Sequence, residues 1–347
     1  MTTSRRDFIV GTGAAIALTN LPAHSAGDAD GAAEKLLAEI AEEMLVDYPE
    51  TASSLGIDKD KRVALKSKLG DRSAAGQKAI AQRVAKRLER LKTIDTSRLG
   101  EATRIDVDVV RTAHEFAAQG FAFPYGDSAL LNTSWAYRNA PYVVAQNTGA
   151  FLEIPSTLDE QHTVETPADS DAYLARLEAY AGQLDGETGR LQAAAAQNVI
   201  APDFLLDKTL AQIKIARSGK IADWSIVQSL ARRTKSMPGD YAAQATKIAT
   251  DKVAPALERQ IAELEAHRKR ATSDAGVWKL PRGDEYYSWA LRTATTTQMT
   301  PEQIHTMGQE ELRSLQSEMD GILKKQGLTQ GTVGERMTAL GKDPRYH

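Results

Sequence analysis

Apolar residues return at intervals of three and four through most of this chain, and that spacing restricts it to a helical fold. In 73–92, Ile80, Val84, Leu88 and Leu91 share one face while Lys and Arg cover the other. In 32–48 the stripe is Leu36, Leu37, Ile40, Met44 and Tyr48, and Pro49 then ends the helix. Further helices are predicted over 101–119, over 169–196 (Tyr173, Leu177, Tyr180, Leu184), and over 202–216 and 222–236. A long one is predicted over 240–270, with a kink or restart at Pro255. No alternation long enough for a core strand interrupts them; YVVAQ and VWKLP are expected as short extended pieces. The expectation is an all-α fold of many, mostly antiparallel, helices.

One segment, about 120–166, breaks the period. It is rich in aromatics, Gly, Pro and Asn, and a long irregular stretch inside a helical domain is a place to look for function.

The first 26 residues follow other rules. Arg5 and Arg6 precede the apolar run FIVGTGAAIALTNL, and small residues follow near Ala23–Ala26. That order is an export signal of the twin-arginine type, so a periplasmic or secreted protein is expected. Its removal takes away Arg5, Arg6 and Asp7 and makes the formal charge of −3 one unit more negative. The remaining chain, 27–347, shows no Gly/Ser-rich linker. With 42% hydrophobic and 26% charged residues it can build a core, and its balance lacks the concentrated basic charge that nucleic acid or an anionic membrane surface selects. No membrane contact is expected after signal removal. The chain has no cysteine, which rules out disulfides, thiolate metal sites and a cysteine nucleophile.

Three strings imitate catalytic signatures. His114-Glu115 lacks a second histidine one turn on, since position 118 is Ala. Tyr125-Gly126-Asp127-Ser128 with Asp159-Glu160-Gln161-His162 looks like the blocks of small serine esterases, yet no sheet or oxyanion hole accompanies it. Glu302 and His305 share a helix face, but two-metal carboxylate bundles need that pair twice. Thr300-Pro301-Glu302-Gln303 instead reads as an N-cap, a first-turn proline and a reciprocal cap. Ile304, Leu312, Leu315, Met319 and Ile322 are then the expected buried stripe of a helix ending at Gly327.

Three longer stretches carry a resemblance. PYVVAQNTGAFLEIPSTLDEQHTVETPADSDAYLARL (141–177), VIAPDFLLDKTLAQI (199–213) and VWKLPRGDEYYSWALRTATTTQMTPEQIHTMGQEEL (277–312) are similar, in order, to the bacterial proteins grouped as domain of unknown function 885. The resemblance implies an exported, mostly helical, peptidase-like protein related to zinc metallopeptidases, with a peptide-like substrate. It implies zinc for the whole family, held by a His-Glu pair and a Pro-Gly-His string that this sequence lacks, so no metal ligand, catalytic residue or cofactor is assigned within this chain. It also implies that residues 27–347 are an N-terminal portion, truncated at GKDPRYH, with apolar helix faces exposed near Met337 and Leu340. By the same resemblance Tyr142, Gln146, Tyr287, Arg292, Thr296 and His305 are cleft candidates. The competing expectation is a stand-alone helical binding module of the periplasm without chemistry.

The export reading has a direct test. Mass spectrometry of the secreted protein is expected to find a mature N-terminus at Gly27, and replacing Arg5 and Arg6 with Lys is expected to leave the precursor uncleaved in the cytoplasm.

Overall fold

In a computed structural model the chain is described over residues 27–131 and 139–344; the predicted signal segment lies outside the described residues. The described residues contain thirteen α-helices and no strand. Contacts divide the chain into two compact units, with the boundary after Tyr286.

The first unit begins with α1 (Asp28–Asp47), α2 (Pro49–Ser54), α3 (Ala74–Lys92) and α4 (Glu101–Gly120). Two of these starts are fixed by their first residues. Ser73 accepts from the Gly76 amide to cap α3, and Pro49 occupies the first position of α2. Ile80, Val84, Ala117 and Leu130 form a satellite core among these helices, as the stripe of α3 predicts. Beside it lies a buried ion network. Arg87 Nη1 reaches Asp47 Oδ2 at 2.7 Å, its Nε reaches Glu43 at 2.8 Å, and Arg83 meets Asp47 at 2.5 Å.

The main core is built around α6 (Pro167–Ala196). Thr166 and Asp169 cap its start reciprocally. Packed against it are α5 (Ala150–Ser156), α9 (Tyr241–Ile248) and α10 (Ala254–Arg270), with α7 (Asp203–Arg217) on α10 and α8 (Ser225–Arg233) on α9. Tyr173, Leu177, Tyr180 and Leu184 of α6 are fully buried, each worth about 1.5–3 kcal/mol of removed apolar surface. The helix predicted over 240–270 is continuous in sequence but contains a π turn at Ala249–Val253, directly before Pro255. Proline offers no amide to the preceding turn, and the wider turn absorbs the missing bond.

The two predicted extended pieces are not extended. Ala145 and Thr148 exchange backbone hydrogen bonds at 2.9 and 3.1 Å and close YVVAQ into a tight turn. Val277–Lys279 is a 3₁₀ turn. Both stretches are too short to find a ladder partner, so local turn bonding prevails.

The second unit begins inside α11 (Gly283–Thr295) and continues with α12 (Pro301–Lys325) and α13 (Val333–Leu340). Thr300 accepts from the Gln303 amide while the Gln303 side chain accepts from Thr300 N–H, the cap read from the sequence. The predicted buried stripe is corrected here. Leu312, Leu315 and Ile322 are 55%, 54% and 54% exposed. Helix α13 packs on a different side of α12, through Arg336, Asp320 and the buried Leu323. Of the two α13 residues expected to be exposed, Met337 is exposed and Leu340 is half-buried.

Polar clamps tie the early helices to α6. Lys66 donates to Asp169 at 2.6 Å and to Thr163 at 2.9 Å. Gln183 donates to Glu50 at 3.2 Å and to Gly70 O at 2.7 Å. Arg176, wholly buried, donates to Lys68 O, Leu65 O and His162 Nδ1 at 2.9, 3.1 and 3.1 Å. The other His162 nitrogen bonds Asp169 O at 2.9 Å, so the ring is held neutral.

Burial, and then the nearby Arg176, Lys66 and Arg233 charges, lower the His162 pKa to about 4. The unfolded chain binds a proton below about pH 6.5 that the folded chain refuses. Stability is therefore complete above that value and falls as pH drops toward 4, by about 3 kcal/mol from this group. His114 and His267 are lowered in the same direction, also by burial first. Urea melts at stepped pH are expected to show a shallower acid loss for His162→Gln than for the native chain; equal slopes would rule out this assignment.

Candidate functional site

The irregular segment between α4 and α6 is organised from beneath by charge. Glu187 lies on the buried stripe of α6 and is 1% exposed. Arg72 Nη1 donates to it at 2.9 Å, Gln260 Nε2 at 3.3 Å, and the Ala150 amide at 2.9 and 3.1 Å to its two oxygens. The other arm of Arg72 pairs with Glu153 on α5. One guanidinium thus serves two carboxylates, which fixes the start and first turn of α5 against α6.

Two glycines make this approach possible. A Cβ on Gly186 would stand 2.9 Å from Ser73 N and 3.0 Å from its Cα, so α6 touches the Arg72 loop with no room for a side chain. Gly149 has φ +129°, which aims the next amide at Glu187. Burial raises the pKa of both Glu187 and Glu153, opposed by Arg72. Every Glu187 oxygen is engaged, so this carboxylate anchors the loop.

Above the anchor, Arg190 Nη2 donates to Gly126 O and to Asp127 Oδ1, each at 2.6 Å. Asp127 pairs with Ala140 through backbone bonds of 2.8 and 3.2 Å. An aromatic group follows. Phe123 meets Tyr286 edge-on at 5.2 Å, Tyr125 lies 5.5 Å from Tyr286, and Arg282 covers Phe123 at 4.8 Å. Tyr125 donates its hydroxyl to Pro281 O at 2.8 Å. Tyr125 and Tyr286 are buried in this group, and the Gly126 and Pro281 carbonyls already accept hydrogen bonds, so the arrangement fixes the loop in place.

The sequence-selected residues distribute as follows. Tyr142 is half-buried against the main core and lines a small cavity with Pro141, Leu191, Leu206 and His267. Burial pushes its hydroxyl up to about 12. Gln146 is half-buried in the adjacent tight turn. Tyr287 is about half exposed and Arg292 half-buried, both on α11. Thr296 follows that helix at φ +55°, exposed. His305 is exposed on α12 and bonds Gln309 at 2.8 Å. Two candidates therefore lie in the loop of the first unit, while Tyr287 and Arg292 lie on α11, Thr296 just after it and His305 on α12.

The three false signatures resolve into structural roles. His114 bonds Val110 O one turn back. Ser128 donates to Ala117 O, and His162 is spent on Arg176 and Asp169, so no serine–histidine dyad forms. Among the described residues no three His, Asp or Glu side chains gather as a metal ion needs. The donor set does not fit the zinc that the sequence resemblance implies for its family.

Sequence reasoning missed Arg72, Glu153, Glu187 and Arg190. One signal was present: Glu187 falls three residues beyond Leu184 on an otherwise apolar stripe, where an acid needs a buried partner.

The anchor carries a stability prediction. Arg72→Met leaves two buried carboxylates without their cation and is expected to cost about 3–5 kcal/mol. A lower urea midpoint at unchanged slope is the expected reading, while a change below about 1 kcal/mol would remove the anchor from the account.

Comparison with known proteins follows this geometry. The solved structure described as the putative lipoprotein from Colwellia psychrerythraea is similar with a TM-score of 0.81 and 22% identity, over 91% of this chain and 55% of that one. The chain thus spans little more than half the length of that relative, and at this identity the likeness concerns the fold. A search of curated proteins finds no match. Residues 49–347 match the family described as bacterial protein of unknown function (DUF885), and the chain belongs to that family.

Proposed function

We propose that this chain is the helical, substrate-framing part of an exported hydrolase acting on peptides or related amides, whose reacting groups lie on polypeptide outside it. The observation that carries the reading is the pair of coverages: nearly all of this chain aligns with little more than half of a solved relative. Two further observations support it. The described residues gather no three-ligand set, and their histidines are committed to backbone, arginine, glutamate or glutamine partners. The irregular segment is fixed to α6 by the Arg72–Glu187 anchor, as a frame that positions a substrate would need to be.

Placement in the cell envelope rests on the twin-arginine pattern of the N-terminus, together with the word lipoprotein in the relative's description. Among the described residues no helix is long and apolar enough to cross a membrane. Within the frame, Tyr142 and Gln146 would contact substrate from the loop of the first unit; Tyr287, Arg292 and Thr296 are separate candidates on the second.

Purified residues 27–347 are expected to bind no stoichiometric zinc and to hydrolyse no peptide. A product extended through the reading frame downstream of codon 347 is expected to hydrolyse peptides. Turnover by the shorter chain rejects the proposal, and so does an extended product without hydrolysis, which would favour a binding module.

A further inference from the structure

Helix α12 carries an apolar seam about three turns long, most of it exposed. Leu312, Leu315, Met319 and Ile322 repeat at intervals of three, four and three, the spacing by which one helix receives another. Three of them are more than half exposed, while α13 occupies a neighbouring side through Asp320 and Leu323. Met337 adds an exposed apolar side chain on α13.

The charge beside the seam states what would cover it. Glu311 and Glu318 stand exposed one position before Leu312 and Met319, on the rim that α13 does not use. Along α12 there are five acidic residues, Glu302, Glu310, Glu311, Glu318 and Asp320, against three basic ones, Arg313, Lys324 and Lys325, the two lysines lying beyond the seam. Asp320 is taken by Arg336 and Lys324. A second copy in antiparallel register would bring the two Glu311–Glu318 rims together, whereas a helix with Lys or Arg beside its apolar positions would find complementary charge.

We infer that α12 is the docking surface for one amphipathic, basic-rimmed helix, contributed by the part of the larger fold that the matched structure carries beyond its likeness to this chain. This rests on the reading of the chain as part of a larger hydrolase, and it names the contact by which that larger protein is assembled.

The test titrates residues 27–347 with two synthetic helical peptides of identical Leu/Ile seam, one rimmed with Lys and Arg and one with Glu, followed by fluorescence anisotropy. The basic peptide is expected to bind about five-fold or more tightly than the acidic one, with the gap closing as salt is added. Leu312→Ser with Leu315→Ser, both at exposed positions, is expected to weaken binding at least about ten-fold without changing the melt of the chain. Glu311→Lys with Glu318→Lys is expected to invert the preference between the peptides.

Equal affinity for the two peptides, or binding that ignores the leucine changes, overturns the proposal. So does self-association through the seam, detected as disulfide dimers of Gln316→Cys in a chain that otherwise has no cysteine. These outcomes leave the hydrolase reading standing, because that reading is decided by turnover of the extended product.

Discussion

Arg72 holds two buried carboxylates at once, and the irregular segment of the first unit depends on that arrangement. Removing three charges from water is costly, and only good geometry repays it. Here the geometry is supplied by a glycine on α6, a glycine before α5, and an amide pointed at Glu187. The consequence is a loop that the backbone alone could not hold. Its residues lack helical period and ladder partners, yet Arg190 and Arg72 give its carbonyls and acids fixed places. An apolar plug of similar volume would fill the space without specifying which carbonyl faces which way.

Helix positions were legible because they need only local information. The Thr300 box and the α3 stripe each act within one or two turns, and the structure has them where the spacing puts them. The π turn before Pro255 was legible as a disturbance but not as a type. YVVAQ and VWKLP were misread because β-branched and aromatic content was taken for extension, while tight turn bonds outcompeted any ladder. The anchor was nearly invisible. Arg72 and Glu187 are 115 positions apart, and nothing local pairs them. Glu187 on an apolar stripe was the one clue, and it says only that some partner exists.

The α12 stripe shows the opposite failure. Amphipathic spacing states which face of a helix is apolar and leaves open what lies on it. Leu312, Leu315 and Ile322 have the spacing of core residues and the exposure of surface residues. The loop that carries Tyr142 and Gln146 was singled out from its composition, but its support was not, because that comes from distant charges.

The clamps between the early helices and α6 have a dynamic consequence. The cluster of Ile80, Val84, Ala117 and Leu130 is separate from the main core, and Lys66, Arg176 and Gln183 bridge the gap with polar bonds. Polar bonds break over short displacements, whereas packed side chains resist until much of the surface is exposed. The α1–α4 layer is therefore built to lift away as one cooperative segment before the α6–α10 core melts. Amides in those four helices would then exchange with solvent through a shared opening at lower free energy than those around Tyr173 and Leu177.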